Sequence, residues 1–88
     1  MVVKDVDFDA DCYSAPPDTA LTITFTNQDA GVQHNLVIRQ GEERNLFEGD
    51  VVTGVTTVRY DIPPLAAGEY HFFCVIHPLQ MAGTFRVE

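Results

Sequence analysis

Apolar and polar side chains alternate one for one along most of this chain, a period that suits a strand and not a helix. Val6, Phe8 and Ala10 alternate with Asp5, Asp7, Asp9 and Asp11. Leu21, Ile23 and Phe25 alternate with Thr22, Thr24 and Thr26, and Val58, Tyr60 and Ile62 with Thr57, Arg59 and Asp61. Tyr70, Phe72 and Cys74 share one face of a later run, and Phe85 and Val87 close the chain. Each run reads as a half-buried strand. His34 to Arg39 is more continuously apolar, as a central strand would be. Turn signals separate the runs at Ala15-Pro16-Pro17-Asp18, Asn27-Gln28-Asp29-Ala30-Gly31, Pro63-Pro64 and Ala67-Gly68. No stretch sustains a helical period, and the polar segment Glu42 to Gly49 reads as a loop with at most one helical turn. Short strands at this spacing predict an all-β sandwich or barrel.

The 88 residues make a single domain, 1–88. A chain this short buries only about 60–65% of its unfolded surface, so a metal or a disulfide would help it. Thirteen acidic against five basic residues give a net charge of −8. That balance argues against nucleic acid, whose phosphates need neutralising, and against an anionic membrane surface. It suits a basic protein partner, or serves solubility alone. The apolar stretches are too short to span a bilayer. No secretory signal precedes Val2, so the chain reads as a mature form or an excised piece.

Two cysteines allow one disulfide, Cys12 to Cys74. Cys74 has a competing assignment. It opens the segment Cys74-Val-Ile-His77-Pro-Leu-Gln-Met81, and His34 stands forty residues upstream. Two imidazoles, one thiolate and one thioether make a donor set that suits copper, with Cys and two His in a plane and Met weak on the axis. Zinc accepts His and Cys but rarely thioether, so Met81 weighs against it. Strand parity puts Cys74 inward at the end of its strand, at one end of the sandwich. The following loop brings His77 and Met81, Gly83 lets the chain re-enter a strand at Thr84, and His34 can join from a neighbouring loop. Loops braced by strands make a rigid site. Cys12 is then a spare thiol, read as a small buried hydrophobe.

Several stretches together resemble the cupredoxins, the family of plastocyanin, amicyanin and pseudoazurin. They are Thr22 to Asn27, Gly31-Val32-Gln33-His34-Asn35, Gly68 to Pro78, and Met81-Ala82-Gly83-Thr84. The resemblance implies a Greek-key β-sandwich of about eight strands holding one type 1 copper. It implies His34, Cys74 and His77 as equatorial ligands and Met81 as the axial one. It further implies that the ring edge of His77 reaches the surface and passes the electron. The spacing Cys-x2-His-x3-Met falls between the shorter amicyanin-like and the longer plastocyanin-like loops. Phe73 stands where plastocyanins carry a tyrosine, which removes a lateral route through a phenol.

Around that set, Asn35 is expected, from the resemblance, to hydrogen-bond across the two ligand loops. Pro78 withholds a backbone N–H close to the site. His71 and Phe73 lie on the outward face of their strand. His71 reads as an exposed strand residue, and Phe73 as a docking contact or a residue packed under a loop. Asp7-x-Asp9-x-Asp11 imitates a calcium loop but lacks its Gly and its bidentate Glu. No catalytic triad or phosphate loop is present in the sequence, so no enzyme is expected.

The expected function is copper-dependent electron transfer. The expected partner is a redox protein with a basic docking surface, meeting His77, Pro78, Leu79 and Ala30. The chain is expected to be a monomer with no membrane insertion. Its expected location, from the resemblance and from copper–thiolate chemistry, is exported: periplasmic or extracytoplasmic. A copper-binding module for storage, sensing or delivery would use the same ligands. A domain cut from a larger membrane-anchored protein is a third possibility.

Overall fold

Among the described residues, ten strands are formed: β1 (Val2–Val3), β2 (Cys12–Ala15), β3 (Leu21–Asn27), β4 (Gln33–His34), β5 (Val37–Gln40), β6 (Arg44–Glu48), β7 (Val52–Thr53), β8 (Thr56–Ile62), β9 (Gly68–Phe73) and β10 (Ala82–Val87). They are seen in a computed structural model that describes residues 1–41 and 44–88. The strands form a three-stranded sheet β1-β3-β8, a five-stranded sheet β2-β10-β9-β5-β6 and a two-stranded ribbon β4-β7. The chain crosses between the two larger sheets from β1 to β2 to β3 and from β8 to β9, and the parallel pairs β1 with β3 and β2 with β10 sit beside antiparallel neighbours. The result is the expected all-β sandwich. Its count exceeds eight because β1, β4 and β7 are two-residue pieces.

Side-chain parity fills the space between the sheets. Phe25, Tyr60 and Ile62 point in from one sheet; Ile38, Tyr70, Phe72, Phe85 and Val87 point in from the other. Phe8 bridges the two layers, with edge-on contacts to Phe25 at 6.5 Å and to Phe72 at 5.0 Å between ring centres. Burying one such ring contributes about 1.5–3 kcal/mol, a large share for a small core.

Three expected elements differ. The acidic run Asp5 to Asp11 is not a strand: β1 stops at Val3, and Asp5 and Val6 take left-handed backbone angles, φ 56° and 57°. The chain turns back there, and Phe8 bridges to Val3. The alternation still sorted inside from outside, because Phe8 is buried and the four aspartates are exposed. The segment expected as a loop at Glu42 to Gly49 contains β6, whereas Glu42 and Glu43 lie outside the described residues. β6 is an edge strand, paired only to β5 and mostly exposed, so polar residues are tolerated in it. The run His34 to Arg39 is broken at Asn35 and Leu36. His34 pairs across the ribbon with Val52, and β5 begins only at Val37.

Cys12 is a fourth correction. It is exposed and free rather than buried, and Cys74 is free and buried, so no disulfide joins them. Parity explains it: Tyr13 and Ala15 turn inward from β2, which leaves Cys12 and Ser14 outside.

Candidate metal centre

Cys74 is the first residue beyond β9 and is fully buried. From there the chain loops out and returns into β10 at Ala82. Three backbone hydrogen bonds shape the loop. Cys74 N–H donates to Met81 O at 3.0 Å and closes its neck; His77 N–H donates to Cys74 O at 3.1 Å, and Met81 N–H to His77 O at 2.9 Å. Met81 is fully buried at that neck. The return past the core demands a glycine. A β-carbon at Gly83 would collide with Asp11 O and stand 2.6 Å from the Phe72 ring.

His34 comes from the ribbon and is also fully buried. Its Nε2 lies 2.8 Å from Asp29 Oδ2. Its Nδ1 is buried and has no hydrogen-bond partner among the described residues. Asp29 is itself held by backbone donors: Asp5 N–H reaches Oδ1 at 2.7 Å and Val6 N–H reaches Oδ2 at 2.9 Å. The Val6 N–H foremost, then His34 and the Asp5 N–H, holds the Asp29 carboxyl below its ordinary pKa against the opposing push of burial. Asn27, fully buried at the end of β3, braces the same turn. Its Oδ1 accepts from Asp29 N–H at 2.8 Å, and its Nδ2 donates to Val32 O at 3.0 Å.

Asn35 ties the two segments together. Its Oδ1 accepts from Val75 N–H at 2.9 Å, one residue past Cys74, and its Nδ2 donates to Gly49 O at 3.0 Å. The expected bond across the loops is present. Below Gly49, the Tyr60 hydroxyl donates to Asp50 O at 2.6 Å. Burial first, then the charges of Asp50 and Cys74, push the Tyr60 phenol up to about 12.

The fold brings His34, Cys74 and His77 together: one donor atom from each lies within 4.8 Å of the others. Cys74 Sγ is 3.9 Å from His77 Nδ1, and the two imidazole rings are 5.1 Å apart. A nitrogen with no protein partner, a cysteine sulfur and a second imidazole in that space fit a soft or borderline metal ion. His71 stays outside the cluster on the exposed face. Phe73 is buried: the Arg39 guanidinium lies 4.2 Å from its ring centre, and His71 stacks on it. It packs rather than docks. Pro78 and Leu79 are exposed beside His77, which is partly buried.

Sequence reasoning missed Asp29 and Asn27 as parts of the site. Asn27 follows Phe25 on the inward parity of β3, and a polar residue there was a readable signal. Asp29 looked like one more turn residue, and its reach to His34 depends on a loop that the alternation does not describe.

A sandwich with a cluster of buried His34, buried Cys74 and partly exposed His77 defines the class of the molecule. The cupredoxin-like domain family matches residues 1–87, and the chain belongs to that family. Solved structures agree on the fold. Auracyanin A from Chloroflexus aurantiacus, described as a "blue" copper protein, matches with a TM-score of 0.87 at 20% identity, covering 100% of this chain and 98% of its own. Auracyanin from Roseiflexus castenholzii matches with a TM-score of 0.80 at 20% identity, over 91% and 86%. Amicyanin from Paracoccus versutus matches with a TM-score of 0.71 at 25% identity, over 99% and 77%. No curated protein matches the chain. Among the described residues, no helix is long and apolar enough to cross a membrane.

Proposed function

We propose that this protein transfers electrons through one type 1 copper ion, with His34, Cys74 and His77 as the strong donors and Met81 as the weak axial one. The observation that carries the reading is the meeting of the three donors, with a buried His34 Nδ1 that has no partner among the described residues. Bound copper would supply the Cu(II)/Cu(I) couple. The chain supplies a cage whose loops are cross-braced through Asn35, which limits rearrangement between the two oxidation states. Amicyanin and the auracyanins, which share the fold, include a protein described as blue copper, and that likeness supports the same cofactor here.

His77 is the favoured point of electron entry, because its ring is partly exposed whereas His34 is fully buried. Among the described residues, the exposed large hydrophobics fall in two short segments. Val51 and Val55 flank the strand paired to His34, and Val75, Ile76 and Leu79 flank His77, with Leu79 96% exposed. Pro78 and Ala30 add to this surface. An apolar patch around an accessible ligand suits a transient redox partner. The net charge of −8 favours a partner with a basic docking surface, met at a salt-dependent rate. Copper–thiolate chemistry suits an exported, oxidising compartment.

The test is an absorption spectrum after Cu(II) is added to the metal-free protein. An intense blue or green thiolate-to-copper band is expected; a colourless Cu(II) protein would sink the reading. Cys74→Ser should abolish the band, whereas Cys12→Ser, on the exposed edge strand, should leave it. Electron self-exchange of the loaded protein then separates a carrier from a storage or delivery module, for which exchange would be slow.

A further inference from the structure

Two of the three described non-glycine residues with left-handed backbones reach the metal centre through Asp29, far from it in sequence. Asp5 and Val6 both have left-handed backbones, φ 56° and 57°. A β-branched residue there is a real outlier, because its side chain crowds the backbone. Paired positive φ values are normal in a tight hairpin turn, but such turns usually take Asn-Gly. Strain of this kind persists only where the surroundings over-determine it.

What it achieves is visible in the hydrogen bonds. Successive N–H groups in such a turn form a concave seat for an anion. Here the Asp5 and Val6 N–H groups grip the two oxygens of Asp29 at 2.7 and 2.9 Å. The gripped carboxylate then faces His34 Nε2 at 2.8 Å. An ionised carboxylate only accepts hydrogen bonds, so Nε2 must carry a proton, and in the neutral ring Nδ1 then has the lone pair. With Nε2 taken by Asp29, Nδ1 is the nitrogen left free to serve the cluster.

We infer that Asp29 is the positioning residue of the site. It selects the His34 tautomer and fixes the ring, and the strained Asp5–Val6 turn is built to hold it. The N-terminal segment is thereby part of the metal centre's outer wall. Carboxylates placed behind metal-binding histidines act in this way elsewhere. The metal half of the inference rests on the proposed copper function; the tautomer half does not.

The experiment is nitrogen NMR of the imidazoles in the metal-free protein, with Cu(I) affinity measured by chelator competition. In the parent protein, His34 is expected wholly as the Nε2–H form. Asp29→Ala should release it to mixed tautomers and lower Cu(I) affinity about 10–100-fold. Asp29→Asn keeps one acceptor oxygen for His34 Nε2 and Val6 N–H but turns its NH2 towards the Asp5 N–H, so it should restore the tautomer and part of the affinity. It should also raise the midpoint potential, because a negative charge behind the ligand is gone. An Nδ1–H tautomer in the parent, or an unchanged tautomer and affinity in Asp29→Ala, would overturn the inference. If Asp29→Ala fails to fold, Asp29→Asn decides it, and an unchanged potential there overturns it. A parent that shows the expected tautomer but binds no copper defeats the copper reading and leaves the positioning role standing.

Discussion

His34 and His77 face each other at 5.1 Å, yet one ring is locked into the fold and the other rests on its own short loop. His34 is fully buried, with Nε2 on Asp29 and a chain of bonds running back to the N-terminal turn. His77 is partly exposed, in a loop held by turn bonds between Cys74, His77 and Met81. The difference teaches how one site can be both stiff and reachable. Long-range contacts fix the buried side, and local contacts leave the other side at the surface.

The largest expected break in this comparison comes from removing each ring. In His77→Gly, imidazole from solution should enter the vacated space and restore the thiolate-to-copper band. In His34→Gly it should not, because that space is closed. Equal rescue of the two variants, read by titrating imidazole against absorbance, would erase the distinction.

Next comes the brace. Asn35→Ala removes the side-chain partner of the Gly49 carbonyl in a buried position and of the Val75 N–H in a part-buried one. Each abandoned group costs about 1–3 kcal/mol, so a loss of about 2–4 kcal/mol is expected in urea unfolding of the metal-free protein. A loss near zero would mean that the two segments hold themselves.

Tyr60 supports the same side through Asp50. Its phenol is pushed up to about 12, so the folded state keeps a proton that the unfolded chain releases near its ordinary value of 10.0. Its contribution is therefore whole below about pH 10 and is lost as the pH rises through about 12, on the order of 2–3 kcal/mol. Tyr60→Phe should cost about 1 kcal/mol at neutral pH and flatten the alkaline loss. An alkaline profile identical to the parent's would place the titration elsewhere.

The smallest effect sharpens the view of the strained turn. Asp5→Gly keeps the N–H that grips Asp29 and removes the left-handed penalty of about 1–2 kcal/mol, less about 0.5–1 kcal/mol for glycine's added freedom. Thermal unfolding should show a gain of about 0.5 kcal/mol with the spectrum of the copper form unchanged. A loss of stability would mean that the Asp5 side chain does more than occupy the turn.

The sandwich was legible because period-two patterning survives local irregularity. Phe8 is buried and its flanking aspartates exposed, although that run is a turn and not a strand. β6 was missed because its two apolar residues, Leu46 and Phe47, are adjacent and do not alternate, and its other three are polar and exposed. The three clustered donors were legible because chemistry names them and parity turns Cys74 inward.

Residue types and their period were thus enough to specify a β-sandwich with Cys74 at its end and His34 within reach. The hydrogen-bond chain behind His34 was decided only in three dimensions. Asp29, Asn27 and the Asp5–Val6 turn meet through pairings separated by up to 24 residues, with backbone angles that no side-chain pattern records. A tautomer depends on the direction of one hydrogen bond, and that direction exists only after the distant segments have closed upon each other.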